Sequence, residues 1–138
     1  MASIMELQVG VKVLLQNREG KYLLIRRSGE KYQEVVHKWD IPGGRINPGA
    51  TLSDNLAREV DEETGLQMTS EPRLIAAQDI LPTPEKHVVR LTYLGEAEGE
   101  LRLSDEHDGF RWVTMDELKT FENLDRYLRK LLDEGVIS

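Results

Sequence analysis

No cysteine occurs among the 138 residues, so no disulfide framework is available to hold the fold. A chain of this length buries roughly two thirds of its unfolded surface and needs neither disulfides nor a structural metal. The lack of cysteine is compatible with either redox compartment. Long apolar runs are missing as well: stretches such as Val13-Leu14-Leu15 and Leu23-Leu24-Ile25 fall far short of the roughly 20 residues a membrane helix takes. The start, Met1-Ala2-Ser3-Ile4-Met5-Glu6, has neither the basic region nor the apolar core of a signal peptide, and Met5 is a candidate second start. A cytoplasmic protein without membrane partners is expected. There is no basic stripe, since Lys and Arg total 18 against 25 Asp and Glu for a net charge of -7. That balance argues against long nucleic-acid polymers, whose phosphates are neutralised by Lys and Arg. The histidines, His37, His87 and His107, form no His-rich metal pattern. Internal repeats and low-complexity linkers are absent too.

What is present is an ordinary globular composition, 39% hydrophobic and 31% charged, and one domain over residues 1–138 is expected. The acidity is local. Thr51 to Leu66 holds five acids (Asp54, Glu59, Asp61, Glu62, Glu63) and one base, Arg58, while Glu96 to Asp108 holds six (Glu96, Glu98, Glu100, Asp105, Glu106, Asp108) and one base, Arg102. Outside these windows the chain is slightly basic. An acidic pocket still binds phosphate if a divalent cation bridges the two.

Gln8 to Gln16 reads as a strand, Asn17-Arg18-Glu19-Gly20 as a turn and Tyr22 to Arg27 as the returning strand of a hairpin. Ser28 to Lys38 is expected to be a loop, and Pro42, Gly43 and Gly44 exclude a helix after Trp39. Thr51 to Thr64 has helical spacing, with Thr51 or Ser53 as N-cap and Gly65 just past its end. Arg73 to Ile80 and His87 to Ala97 are expected strands around a Leu81-Pro82-Thr83-Pro84 turn, followed by a short strand, Phe110 to Val113. Helices are expected near Met115 to Thr120 and from Leu124 to Glu134, where Leu124, Leu128, Leu131 and Leu132 make an apolar stripe. The class is α/β (α+β), a mixed sheet between helical layers.

On a helical wheel with Leu52 at zero, Leu56 lies at about 40° and Val60 at about 80°, which defines the buried arc. Glu63 falls at about 20°, Glu59 at about 340° and Glu62 at about 280°, so three glutamates border or enter the apolar face. An amphipathic helix normally sets its carboxylates opposite the core, and crowded, half-buried carboxylates repel and lose hydration. A hard divalent cation with oxygen ligands relieves both costs. The plainer alternative is a solvated acidic face with Arg58 paired to Asp54 and Glu62. Glycines at 43, 44 and 49 favour the cation, because they let backbone approach a ligand closely and a carbonyl of the Gly43-Gly44 turn is a natural further ligand.

Gly44-Arg45-Ile46-Asn47-Pro48-Gly49-Ala50, then seven residues, then Arg58-Glu59-Val60-Asp61-Glu62-Glu63-Thr64-Gly65-Leu66 resembles the Nudix box, GX5EX7REUXEEXGU with U apolar. The resemblance extends to Trp39 to Gly44, the N-terminal hairpin and the Trp112 strand before the terminal helices. One position departs: the family's first Glu is Ala50. The resemblance implies a Nudix-like α/β/α sandwich that uses Mg2+, with Mn2+ as an alternative, and water to split a pyrophosphate linkage in a nucleotide. It implies metal ligation by Glu59, Glu62 and Glu63 with the Gly43-Gly44 backbone, activation of water by Glu62 or Glu63, and an orienting Arg58. The family's first Glu supports that Arg, and Asp54, four residues before Arg58, is the expected substitute. Glu106 lies where several relatives place a metal-binding or base carboxylate, with a solvated loop acid as its alternative. His107 is expected to be structural or exposed. Arg26 and Arg27 point to opposite faces by alternation, and one of them is a candidate for substrate phosphate. Trp39 is a candidate for stacking on a base, with packing the favoured reading.

The substrate class is nucleoside triphosphate, dinucleoside polyphosphate or ADP-ribose, between which the cues conflict. Ala50 keeps a second reading open, a catalytically weak Nudix-fold nucleotide-binding or interaction module. Exposed strand edges allow a homodimer.

Overall fold

The structure, a computed structural model, describes residues 5–29 and 39–138. Among these residues eight strands form one mixed sheet with three helices around it. In chain order they are β1 (Glu6–Gln16), β2 (Tyr22–Arg27), β3 (Trp39–Asp40), β4 (Gly43–Arg45), α1 (Leu52–Thr64), β5 (Gln67–Met68), β6 (Arg73–Thr83), β7 (Lys86–Glu98), β8 (His107–Val113), α2 (Met115–Lys119) and α3 (Arg126–Asp133). None of the helices is long and apolar enough to cross a membrane. Of the loop expected over Ser28 to Lys38, Ser28 and Gly29 are described and the remainder, His37 included, lies outside the described residues.

The unbroken apolar stretch of β1 follows from burial on both faces, since alternate side chains enter opposite cores. Val11, Val13 and Leu15 join Leu23, Ile25, Leu56 and Val60 under α1. Leu14 joins Leu24, Val113, Leu118, Leu128 and Leu131 under α2 and α3. Of the stripe expected from Leu124 onward, Leu128, Leu131 and Leu132 lie on α3 and are 0 to 7% exposed, whereas Leu124, 3% exposed, precedes the Asp125 cap and bridges to Trp39 instead of starting the helix. Two cores on two faces make an α/β/α sandwich.

The expected hairpin is closed only at its turn, where Gln16 pairs with Tyr22. Beyond it the two strands part. β1 runs parallel to β7 from Glu6↔Lys86 to Gln16↔Glu96, and β4 pairs antiparallel with β1 at Gly10 to Lys12. This split brings Gly43 and Gly44 against the middle of β1. The turn expected at Leu81 to Pro84 shortens, because β6 continues through Pro82 to Thr83 with a register shift after Ile80. A proline is tolerated there because β6 pairs on one side only, with β7. Sequence periodicity does not reveal the two-residue β5, which pairs with the end of β7.

Candidate active site

α1 carries the glutamates. Thr51 caps it by accepting from Asp54 N, and Gly65 ends it at φ 71°, as the spacing predicts. Leu52 departs from the expected buried arc, being 39% exposed. Further along, Glu63 is buried and its Oε1 accepts from Gly43 N at 2.8 Å. Burial, with Glu59 and Asp40 as negative neighbours, pushes the Glu63 carboxyl up to about 7, against the pull of Lys12 and the Gly43 N–H. Its other oxygen, Oε2, lies 3.5 Å from His107 Nε2. His107 was expected to be structural or exposed, yet it stands at the site, with burial and the Lys12 and Arg27 charges lowering its proton affinity to about 4.

Glu59 lies directly beneath Gly44. A Cβ at residue 44 would come within 2.8 Å of the Glu59 carboxylate, and one at Gly43 (φ 145°) would come within 2.0 Å of Val11 O. Gly43 therefore requires glycine because of the backbone it meets, whereas a side chain at Gly44 would push aside the end of the flexible Glu59 side chain. Arg58 Nη1 binds Glu59 Oε1 at 3.0 Å and Glu62 Oε2 at 3.4 Å. Glu62 remains more than half exposed.

Asp54 does not support Arg58. It is exposed at the first turn of α1, about 100° of helical rotation per residue having carried it to the far side from the glutamates. Asn55 takes that place instead, its Oδ1 accepting from Arg58 Nη2 at 3.0 Å.

Above the sheet, a cavity of about 450 Å³ is lined by Gly10, Lys12, Gly43, Gly44, Glu63, Val88, Arg90 and Tyr127, with Arg27, Arg45, Glu106 and His107 among the others around it. Its floor is the face of β1 and β7 that farther along packs Leu14 beneath α3. Beside it lies a buried ionic cluster that patterning could not reveal. Asp40 meets Lys12 Nζ at 3.1 Å, Arg90 Nη2 at 3.2 Å and Arg27 Nη2 at 3.7 Å. Arg90 also meets Asp125 at 3.1 Å, and Asp125 caps α3 by accepting from Tyr127 N and Leu128 N. Burial alone would raise the Asp40 carboxyl, but Arg90, Lys12, the Ile41 N–H and Arg27 hold it well below the usual carboxylate range.

Of the residues singled out for substrate, Arg27 lines this cavity and Arg26 does not. Arg26 Nε pairs with Asp108 at 2.7 Å and its guanidinium lies 5.5 Å from the Trp39 ring centre. Trp39 packs edge-on against Phe121 at 5.3 Å and lies outside the cavity lining. Glu106 is exposed at the cavity wall, and its backbone carbonyl receives Ser28 N.

Among the described residues no three acidic or histidine side chains converge as a ready-made metal cage. The donor chemistry nevertheless suits a hard cation: Glu59, Glu62 and Glu63 are oxygen donors on one face of α1, and two of them adjoin the Gly43-Gly44 backbone. As the side chains stand, Arg58 holds Glu59 and Glu62 while Gly43 and His107 hold Glu63.

A family model described as the NUDIX domain matches residues 6–134. The chain is similar to the rat (Rattus norvegicus) bis(5'-nucleosyl)-tetraphosphatase [asymmetrical], 27% identical in an alignment of 127 residues that covers 84% of this chain and 81% of that protein. It is similar to the RNA pyrophosphohydrolase of Escherichia coli O139:H28, 28% identical over 75% of this chain and 67% of that protein. Among solved structures, the crystal structure of a MutT protein from Methanosarcina mazei Go1 superposes with a TM-score of 0.79 at 30% identity, covering 96% of this chain and 95% of that one. The chain belongs to the Nudix family and is a hydrolase of that family.

Proposed function

We propose that this Nudix hydrolase splits a pyrophosphate linkage in a small nucleotide, with a divalent cation held by Glu59, Glu62 and Glu63 beside the Gly43-Gly44 backbone. The observation that carries the reading is one cavity lined both by Glu63 and by the cations Lys12, Arg27 and Arg45. A polyphosphate suits both sets of groups: the cations would pair with its charge directly, and a divalent cation held by the carboxylates would neutralise more of it. When bound, the cation neutralises charge at the attacking and leaving oxygens and makes water easier to deprotonate. Arg58 keeps Glu59 and Glu62 together, and the Gly43 N–H fixes Glu63. Glu62 or Glu63 is the candidate to accept a proton from water. Glu106, on the cavity wall, is the second carboxylate proposed for catalysis or metal ligation. Ile80, Val88 and Tyr127 give the cavity an apolar side suited to a nucleobase.

The test is product analysis after incubation with Mg2+ or Mn2+ and nucleoside triphosphates, oxidised nucleotides, dinucleoside polyphosphates and ADP-ribose, with Glu62→Gln as control. Cleavage that needs metal and is lost in Glu62→Gln is expected, and the products name the substrate class. A folded protein that binds nucleotide and cleaves none of them would contradict the proposal.

A further inference from the structure

We infer that Asn55 is a positioning residue for this hydrolysis, orienting Arg58 toward the glutamates in the part that Ala50 has no side chain to play; the inference rests on the function proposed above. Asn55 is 1% exposed although it lies in the first turn of a surface helix. Every hydrogen-bonding position of its amide is used. Oδ1 accepts from Asn47 N at 2.7 Å and from Arg58 Nη2 at 3.0 Å, while Nδ2 donates to Ala50 O at 3.2 Å and Thr51 O at 2.8 Å. Two N–H groups on one side and two carbonyls on the other fix which end is oxygen.

Arg58 is therefore gripped from two directions. Its Nη2 is anchored to Asn55, with a longer contact to Arg45 O at 3.5 Å, while its Nη1 reaches Glu59 and Glu62. A planar guanidinium anchored at one nitrogen has the other nitrogen's direction set as well. The same side chain pins the 45–50 loop to α1, so Asn55 couples the glycine strand above the site to the carboxylates below it.

Three variants separate positioning from simple stapling of the loop. Asn55→Ala removes both acceptor and donors, Asn55→Asp keeps the acceptor for Arg58 but faces the Ala50 and Thr51 carbonyls with no donors, and Thr51→Ala weakens the helix start without touching Arg58. Mn2+ binding, read by electron paramagnetic resonance without substrate, should weaken about tenfold in Asn55→Ala, the usual loss when a ligand's supporting partner is removed. It should stay within about twofold of the native protein in Asn55→Asp and Thr51→Ala, although both lower Tm. With substrate, kcat should fall in Asn55→Ala while KM for the nucleotide is kept. If Asn55→Ala does not fold, Asn55→Ser takes its place with the same expectation. Native affinity in the folded Ala or Ser variant, or equal losses in the Ala and Asp variants, would overturn the inference. Failure of the native protein to bind Mn2+ would instead overturn the function on which it rests.

Discussion

Asp40 and Glu63 are two buried carboxylates, 2% and 6% exposed, one beside the cavity and one lining it, so desolvation opposes the charge on both. Around Asp40, the Arg90, Lys12 and Arg27 cations and the Ile41 N–H outweigh that cost and hold its carboxyl well below the usual range. Around Glu63, Lys12 and the Gly43 N–H do not suffice, and burial with Glu59 close by leaves the group near 7. On the function proposed above, the contrast separates a charge that serves the fold from one kept for chemistry. Asp40 is matched within the chain and ties β1, β2 and β7 together. Glu63 carries a cost that a bound cation would remove, which is the usual mark of a functional group.

Breaking the matched pole should have the largest effect. Asp40→Asn leaves Arg90 and Lys12 beside a neutral amide and should cost about 3–5 kcal/mol in urea unfolding, as removal of one partner from a buried pair does. Its folded pKa is lowered from 3.8, so this contribution is complete above about pH 4 and drains away as the pH falls toward the folded value. Native and variant stabilities should therefore converge in acid. A pH-independent difference would contradict the pairing.

Neutralising the unmatched pole should act in the opposite direction. With excess chelator, ionised Glu63 costs the fold nothing below its unfolded value of 4.5 and progressively more up to about 7. Glu63→Gln should thus be more stable than the native protein at pH 8 by about 3.5 kcal/mol, each tenfold change in proton affinity being worth about 1.4 kcal/mol. The two should be equal near pH 4.5. Lower stability of Glu63→Gln at pH 8 would reverse the assignment of the two acids.

A single methyl sharpens the comparison further. Gly44→Ala would displace the end of the flexible Glu59 side chain, so unfolding free energy should change by less than about 1 kcal/mol while metal-dependent turnover falls about tenfold. A loss confined to stability would show that Glu59 is not used. On the cationic side, Arg27→Ala should raise KM about tenfold, the worth of one charge-assisted hydrogen bond, whereas Arg26→Ala should leave it within about twofold, because Arg26 is spent on Asp108 and Trp39. Equal KM changes would mean that the cavity is not the substrate site.

Local signals carried much of this into the sequence. Thr51 and Gly65 bound α1 in sequence and in space, and the apolar triplets of β1 and β2 serve two cores because helices cover both faces. The helical period likewise placed Glu63 at the apolar face, where it is buried. What stayed hidden depends on partners far along the chain. Nothing near Arg90 announces that a strand residue will be neutralised by Asp40, fifty positions away. The parallel pairing of β1 with β7 likewise has no turn to signal it. Asn55 was missed in favour of Asp54 because charge and four-residue spacing suggested a pair, whereas one helical step decides which of them faces the loop.

Thermal unfolding at pH 8, with and without Mn2+, tests the division of labour between the two acids most directly. A cation at about 100 times its dissociation constant adds about 2.7 kcal/mol to the state that binds it. The native protein should show that gain as a raised Tm, and Glu63→Gln, already relieved of its charge, should show little of it. Equal Tm shifts in the two proteins, or no shift in the native one, would contradict the claim that Glu63 is held for a metal.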